Sequence, residues 1–176
     1  MKLTKRLLAM ALAGVMLLTI LTGCGGGKSG DRLVEEYMAT FVSENFRTGN
    51  IPITHDVPEI KTVAEKFEAS WLNPNTGKWD IARTDPSTDK RRQDLKKVFS
   101  NYENGYNVIL GACEVDSKQS ELNQTMRVMS PMYPGLAIYS FVGDPSITAI
   151  QCATRLVTRG DESYRIAVVI YDHTAN

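Results

Sequence analysis

The chain has 176 residues, of which 43% are hydrophobic and 23% are charged, with 20 basic and 20 acidic side chains. This length suits one ordinary domain, and the hydrophobic fraction is that of a globular protein, so the fibrous and disordered classes are excluded. A net charge of zero without a long basic run argues against nucleic acid as a partner, and two histidines with three cysteines are too few for a dense disulfide framework or a histidine-rich metal site.

The first 24 residues carry the pattern of an export signal. Three basic residues precede an apolar run from Leu7 to Leu21, which is shorter than the roughly 20 residues that cross a bilayer. The sequence Leu21-Thr22-Gly23-Cys24 resembles the lipobox of bacterial lipoproteins. The resemblance implies cleavage after Gly23 and a diacylglyceryl group on the Cys24 thiol. An uncleaved N-terminal anchor helix is the alternative.

Residues 25–30 are rich in glycine and are expected to form a flexible tether between the lipid and the domain. The sequence thus divides into a signal peptide (residues 1–23), a tether (24–30) and a globular domain (31–176). Because the signal holds three basic residues and no acidic ones, its removal lowers the formal charge from zero to −3. A mildly acidic domain has little attraction for anionic headgroups, so the acyl chains on Cys24 are expected to anchor it, facing outside the cytoplasm.

Four helices are predicted from apolar residues that recur every three to four positions. They run from Asp31 to Gly49-Asn50, from Pro58 to Trp71, from Asp85 to Phe99, and from Ser117 to Met129, where Pro131 is expected to end the last one. The third contains five basic residues, with Asp85, Asp89 and Asp94 interspersed among them. That mixture favours a solvated helix face over a basic binding patch.

Three strands are predicted from runs of β-branched and apolar residues. They cover Asn107–Val115, Ile147–Thr158 and Ser163–Asp172, and the last two flank a hairpin turn at Arg159-Gly160-Asp161-Glu162. Helices and strands do not alternate regularly, so the fold class is α+β. We expect an α-β-α sandwich in which about four helices pack on both sides of a small antiparallel sheet of three to four strands.

Several short motifs occur in the order found in one known family. They are Glu44-Asn45-Phe46-Arg47, Glu103-Asn104, Ser130-Pro131-Met132-Tyr133 and the two closing strands. Together these segments resemble the CAP superfamily, the SCP-like domain of secreted proteins, over residues 31–172. The resemblance implies the same α-β-α fold for this domain.

The same resemblance implies a central cleft without a metal. CAP domains with a metal centre use two histidines and two acidic residues, and here Leu72 and Tyr133 stand at the histidine positions while Glu103 remains matched. Three good ligands are needed for Zn²⁺, so no metal or other cofactor is expected. The implied cleft residues are Leu72, Glu103, Asn104, Ser130 and Tyr133. Such a cleft would bind a peptide, a glycan or a lipid rather than react with it.

Cys113 and Cys152 both fall in predicted strands, and three interpretations stay open. They form a disulfide in the oxidising exported compartment, they are inert core thiols, or one is a nucleophile paired with His55 or His173. The sequence therefore favours a lipid-anchored, extracytoplasmic, non-catalytic CAP-like binding module. The alternatives are an envelope hydrolase that uses a strand cysteine and an unrelated small α+β accessory lipoprotein.

Overall fold

The computed structural model describes residues 30–46, 51–79, 88–102, 105–138 and 147–172, which form an α+β domain. The helices within these residues are α1 (Gly30–Phe46), α2 (Glu59–Lys66), α3 (Lys90–Val98) and α4 (Glu121–Ile138). The strands are β1 (Ile53–Thr54), β2 (Leu72–Asn73), β3 (Lys78–Trp79), β4 (Tyr106–Val115), β5 (Ile150–Arg159) and β6 (Glu162–Asp172). The predicted fold class and the three long strands are confirmed.

The sheet is larger than predicted, with six strands in the order β1-β5-β6-β4-β3-β2 instead of three to four. It is also mixed, because β1 pairs parallel to β5 while every other described pair is antiparallel. The three additional strands have two residues each and lie toward the edges. A two-residue strand has no periodicity to detect in a sequence, since only its pairing with a neighbour defines it.

Strand β6 is buried on both faces and separates two apolar cores. All its residues from Ser163 to Tyr171 are buried, and successive side chains point to opposite faces. Ala167 and Val169 join the core that α1 and α4 cover, whereas Ile166 and Val168 join the core that α2 and α3 cover. Two helices therefore pack on each face of the sheet.

Helix α4 continues past the point at which Pro131 was expected to end it. It runs to Ile138 with Pro131 and Pro134 inside it. A proline inside a helix removes a hydrogen bond and costs about 3 kcal/mol. The helix nevertheless buries four large apolar side chains against the sheet, each of which contributes about 1.5 to 3 kcal/mol. They are Val128, Met129, Met132 and Leu136.

The other helix ends also differ from the sequence prediction. Helix α2 stops at Lys66, and a separate 3-10 turn covers Ala69–Trp71. Helix α3 begins at Lys90 because the carboxylate of Asp89 accepts hydrogen bonds from the backbone N–H groups of Arg91 and Arg92, at 2.8 and 3.3 Å. The predicted end of the first helix at Gly49-Asn50 and the predicted start of the third at Asp85 lie outside the described residues.

The β5–β6 hairpin forms as predicted, with Arg159 opposite Glu162 across a two-residue turn. Gly160 has a φ of 61°, which an L side chain adopts only at a cost, so glycine suits this turn. The first turn of α1 is bonded near this end of the sheet: the Asp31 carboxylate accepts from Leu156 N at 3.1 Å and from the Arg165 guanidinium. The chain therefore enters the domain close to the hairpin.

Candidate functional site

Two of the cleft residues that the CAP resemblance implied, Leu72 and Tyr133, lie on elements at opposite faces of the sheet. Leu72 on β2 pairs with Trp79 and packs on the face of the sheet covered by α2 and α3. Tyr133 lies on α4, which covers the opposite face, and it is 49% exposed. The sheet separates the two residues, because Leu72 belongs to β2, which pairs with β3 and forms one edge of the sheet. Glu103 and Asn104 lie outside the described residues, as does Cys24.

Ser130 and Tyr133 are the two cleft candidates that the structure does bring together. They stand one turn apart on the exposed side of α4. Lys78, on β3, donates a hydrogen bond from Nζ to the Ser130 hydroxyl at 2.8 Å. This contact fastens the edge of the sheet to α4 and gives Ser130 a structural role.

The candidate disulfide is not formed, and both cysteines are free and buried. Strand β6 lies between β4 and β5, with Cys113 opposite Arg165 and Cys152 opposite Val169. Two strand spacings and four residues of offset put the two Cα atoms about 16 Å apart. A disulfide needs them within about 7 Å. The disulfide interpretation required the two strands to be neighbours, and β6 lies between them.

The environment of the two thiols also disfavours a nucleophilic role. Burial raises the pKa of Cys113 to about 11 and the pKa of Cys152 to about 12. A nucleophilic cysteine needs a lowered pKa, since the thiolate is the reactive form. His55 hydrogen-bonds the backbone of Cys152, and burial lowers the pKa of this histidine. His173, the other candidate partner, lies outside the described residues.

A groove of about 670 Å³ opens between the end of α2, the start of α3 and the β5–β6 hairpin. Phe67 and Trp71 line it as apolar surface. Seven charged residues also line it: Lys66, Lys90, Arg91 and Arg159 are basic, and Glu65, Glu68 and Asp94 are acidic. Sequence reasoning missed this site. The basic residues of α3 were its only signal, and they were interpreted as a solvated helix face.

Arg159 fixes one wall of the groove by joining the hairpin to the end of α2. Its Nη2 donates to the carbonyl oxygens of Ala64 at 2.9 Å, Phe67 at 3.4 Å and Glu65 at 3.5 Å. The last carbonyls of a helix lack partners within the helix and carry its partial negative charge. Arg159 satisfies them, so the end of α2 contributes little negative potential to the groove.

The opposite wall is the positive end of α3. The Asp89 carboxylate caps this helix and also pairs with the Arg91 guanidinium, whose Nη2 lies 2.6 Å from Oδ2. The capping pair holds Arg91 along the groove wall. Lys66 and Lys90 stand nearby as exposed side chains. The Asp89 carboxylate already occupies the positive end of the helix dipole, so an anionic group at this wall would be attracted by exposed cations such as Lys66 and Lys90.

Packed aromatic rings support the groove from beneath. The Phe67 ring lies 5.7 Å from that of Trp71 and 5.2 Å from that of Tyr164, and the Trp71 and Trp79 rings are 5.5 Å apart. The Tyr164 hydroxyl donates to the Glu162 carboxylate, and this hydrogen bond raises the pKa of Tyr164 to about 12. Aromatic pairs of this kind add about 0.5 to 1.5 kcal/mol beyond the area they bury, so the floor is rigid.

Comparison with protein-family models, with curated proteins and with solved structures finds no match to this chain. Within the described ranges, His, Cys, Asp and Glu side chains do not gather in groups of three or more that could hold a metal ion. Nor does any helix in those ranges have the length and apolar character to span a membrane.

Proposed function

We propose that this chain is a bacterial lipoprotein whose domain is held outside the cytoplasm by an acylated Cys24 and acts by binding rather than by catalysis. Its binding site is the groove between α2 and α3. This proposal keeps the anchor and the binding role that the sequence favours, and it moves the ligand away from the CAP-like cleft. It holds whether or not the domain is related to the CAP superfamily.

The groove is the observation that carries the proposal. It combines basic and acidic side chains with an aromatic floor, and two of its cations are fixed by neighbouring residues: Arg159 by the carbonyls of α2 and Arg91 by Asp89. Preorganised charges over an apolar surface are typical of sites that recognise a ligand. The two buried thiols, with pKa values raised to about 11 and about 12, support binding over cysteine catalysis.

The anchor is tested by metabolic labelling with radioactive palmitate in the bacterial host. We expect label in the wild-type chain and none in Cys24→Ala, because the thiol is the proposed site of acylation. Cys113→Ala is the matched control, since it removes a buried cysteine and should keep the label. An unlabelled wild-type chain, or label that persists in Cys24→Ala, would overturn the lipoprotein proposal.

The orientation is tested on the same cells. Protease added to spheroplasts should digest the domain of the wild-type protein, while a cytoplasmic marker protein stays intact. A domain that becomes sensitive only after the membrane is broken would contradict an extracytoplasmic location.

A further inference from the structure

We propose that the groove between α2 and α3 faces the membrane that anchors the chain and binds the headgroups of anionic phospholipids. This inference rests on the proposed acylation of Cys24. It gives the domain a second contact with the bilayer and names the ligand class of the groove.

The position of the groove relative to the anchor is the first argument. Helix α1 begins at Gly30, and Asp31 is bonded to Leu156 and Arg165, close to the β5–β6 hairpin. Arg159, at the end of β5, lines the groove. The start of α1 and the groove therefore lie toward the same end of the sheet, on its two opposite faces.

The length of the connecting segment is the second argument. Five residues, 25–29, lie between Cys24 and Gly30, where α1 begins. Even fully extended they reach about 20 Å. An acylated Cys24 thus keeps Gly30 within about 20 Å of the lipid surface, which is between about two and three Debye lengths at physiological salt.

Charge is the third argument. The mature chain has a formal charge of −3, yet α3 carries five basic side chains and one acidic one among nine residues. The groove lining and α3 with its Asp89 cap together hold seven basic and four acidic side chains. This part of the surface therefore carries a net positive charge on an acidic domain.

This distribution changes the expectation drawn from net charge. An evenly acidic domain would be repelled by phosphatidylglycerol, whereas a domain with its cations gathered at the anchored end is drawn to it. Guanidinium and ammonium groups are suited to a phosphodiester, because each donates charge-assisted hydrogen bonds to its oxygens. Lys66 and Lys90, both exposed at the rim, are the residues that we expect to contact the headgroups first.

The two tryptophans of the chain provide the probe. Trp71 lines the groove and Trp79 packs against it, so a quencher held at the headgroup level reports on the approach of the groove to the membrane. The acylated full-length protein is reconstituted in vesicles of phosphatidylcholine alone or with about 30% phosphatidylglycerol. Both vesicles contain a small fraction of lipid with a nitroxide on its headgroup.

We expect tryptophan quenching roughly twofold stronger with phosphatidylglycerol, and we expect this gain to vanish when the salt is raised from about 0.05 to about 0.5 M. Lys66→Glu with Lys90→Glu should abolish the gain. Lys61→Glu with Lys96→Glu is the matched control, because it makes the same charge change on the same two helices away from the groove lining. All four lysines are exposed, so both double variants should unfold at the wild-type temperature.

Equal quenching in the two lipid compositions, or equal loss of the gain in both double variants, overturns the inference. The intact mass of each sample shows whether Cys24 is acylated. If the protein is acylated but its tryptophan quenching does not increase with phosphatidylglycerol, this inference is overturned and the proposed function is not affected. A chain without acyl groups overturns the proposed function and the inference together.

Discussion

Asp31 and Arg165, which are 134 positions apart in the chain, form an ion pair that joins the first turn of α1 to the central strand β6. Arg165 is only 1% exposed, and the side-chain oxygen of Gln124 on α4 accepts hydrogen bonds from its Nε and Nη2. The Asp31 carboxylate also accepts from Leu156 N at 3.1 Å and from Arg155 Nη1 at 3.2 Å. Asp31, the first residue after the proposed tether, is thus bonded to both β5 and β6.

Asp31→Ala should lower the free energy of unfolding by about 3 kcal/mol, because it leaves the buried Arg165 charge without its counter-ion. Urea denaturation followed by circular dichroism measures this. Glu36→Ala is the matched control: Glu36 pairs with the exposed Arg32 at 3.6 Å, and its loss should cost about 0.5 kcal/mol or less. Equal effects of the two substitutions would show that the Asp31 pair is no stronger than a surface pair.

Cys113 and Cys152 should be unreactive in the folded protein. With a pKa of about 11, Cys113 is ionised in only about one molecule in a thousand near pH 8, and Cys152, with a pKa of about 12, is ionised still less. Peptide mass spectrometry after iodoacetamide treatment should find both thiols unmodified in the native protein and both modified in guanidinium. The result should not depend on a reductant. A thiol that needs prior reduction before it reacts in guanidinium would contradict the free-cysteine state.

The contribution of Asp172 to stability should depend on pH. Burial raises the pKa of Asp172, but hydrogen bonds from Thr148 and Ala149 together outweigh burial and hold it below the usual 3.8. The charged form therefore stabilises the folded state above about pH 3.8, and this stability is lost as the pH falls through the folded-state pKa.

Asp172→Asn should cost about 1.5 kcal/mol at neutral pH, and the difference from wild type should shrink below about pH 4. Urea titrations at a series of pH values measure it. Asp161→Asn, in the exposed hairpin turn, should change stability by less than about 0.5 kcal/mol at every pH. If Asp172→Asn lowered the free energy of unfolding by the same amount down to low pH, the charged form of Asp172 would not be the source of the stabilisation.

Gly111 on β4 lies directly under Met132 of α4. A Cβ atom at this position would come 2.3 Å from Met132 Cγ and 3.0 Å from the Val128 carbonyl oxygen. Gly111→Ala should therefore destabilise the domain by about 2 to 3 kcal/mol, because α4 must move away from the sheet.

Met132→Ala leaves a cavity and should also cost about 2 to 4 kcal/mol. In the double variant the new methyl group occupies part of that cavity. The double variant should therefore be destabilised by less than the sum of the two single-variant costs. Thermal denaturation of the two single variants and the double variant measures the coupling. Strict additivity would show that the two residues do not share this space.

Much of the fold could be predicted from local pattern. The strand at residues 107–115 and the hairpin at Gly160 were predicted within one or two residues of their observed bounds, because alternation and turn residues act over a few neighbouring positions. Local pattern was misleading for α4, since Pro131 breaks helices in isolation and here lies in a helix that four buried apolar side chains hold against the sheet.

The candidate site could not be predicted in the same way. Its walls come from α2, α3 and the end of β5, which are separated by up to about ninety residues. They meet because they share one apolar core, and Arg159 also bonds the carbonyls of α2. The five basic residues of α3 were visible in the sequence. The sequence did not show that these residues lie near the groove and near the start of α1, because no local pattern indicates which end of a helix faces which strand.

By itself, the sequence determined the class of the fold, the long helices and strands, and the motif at Cys24 on which the proposed anchor depends. Only the tertiary structure decided that β6 separates Cys113 from Cys152, that the sheet separates Leu72 from Tyr133, and that a groove forms beside Arg159. The physical reason is that periodicity reports which side of an element is buried. The order of the strands and the partner of each face are set by packing between segments far apart in the chain.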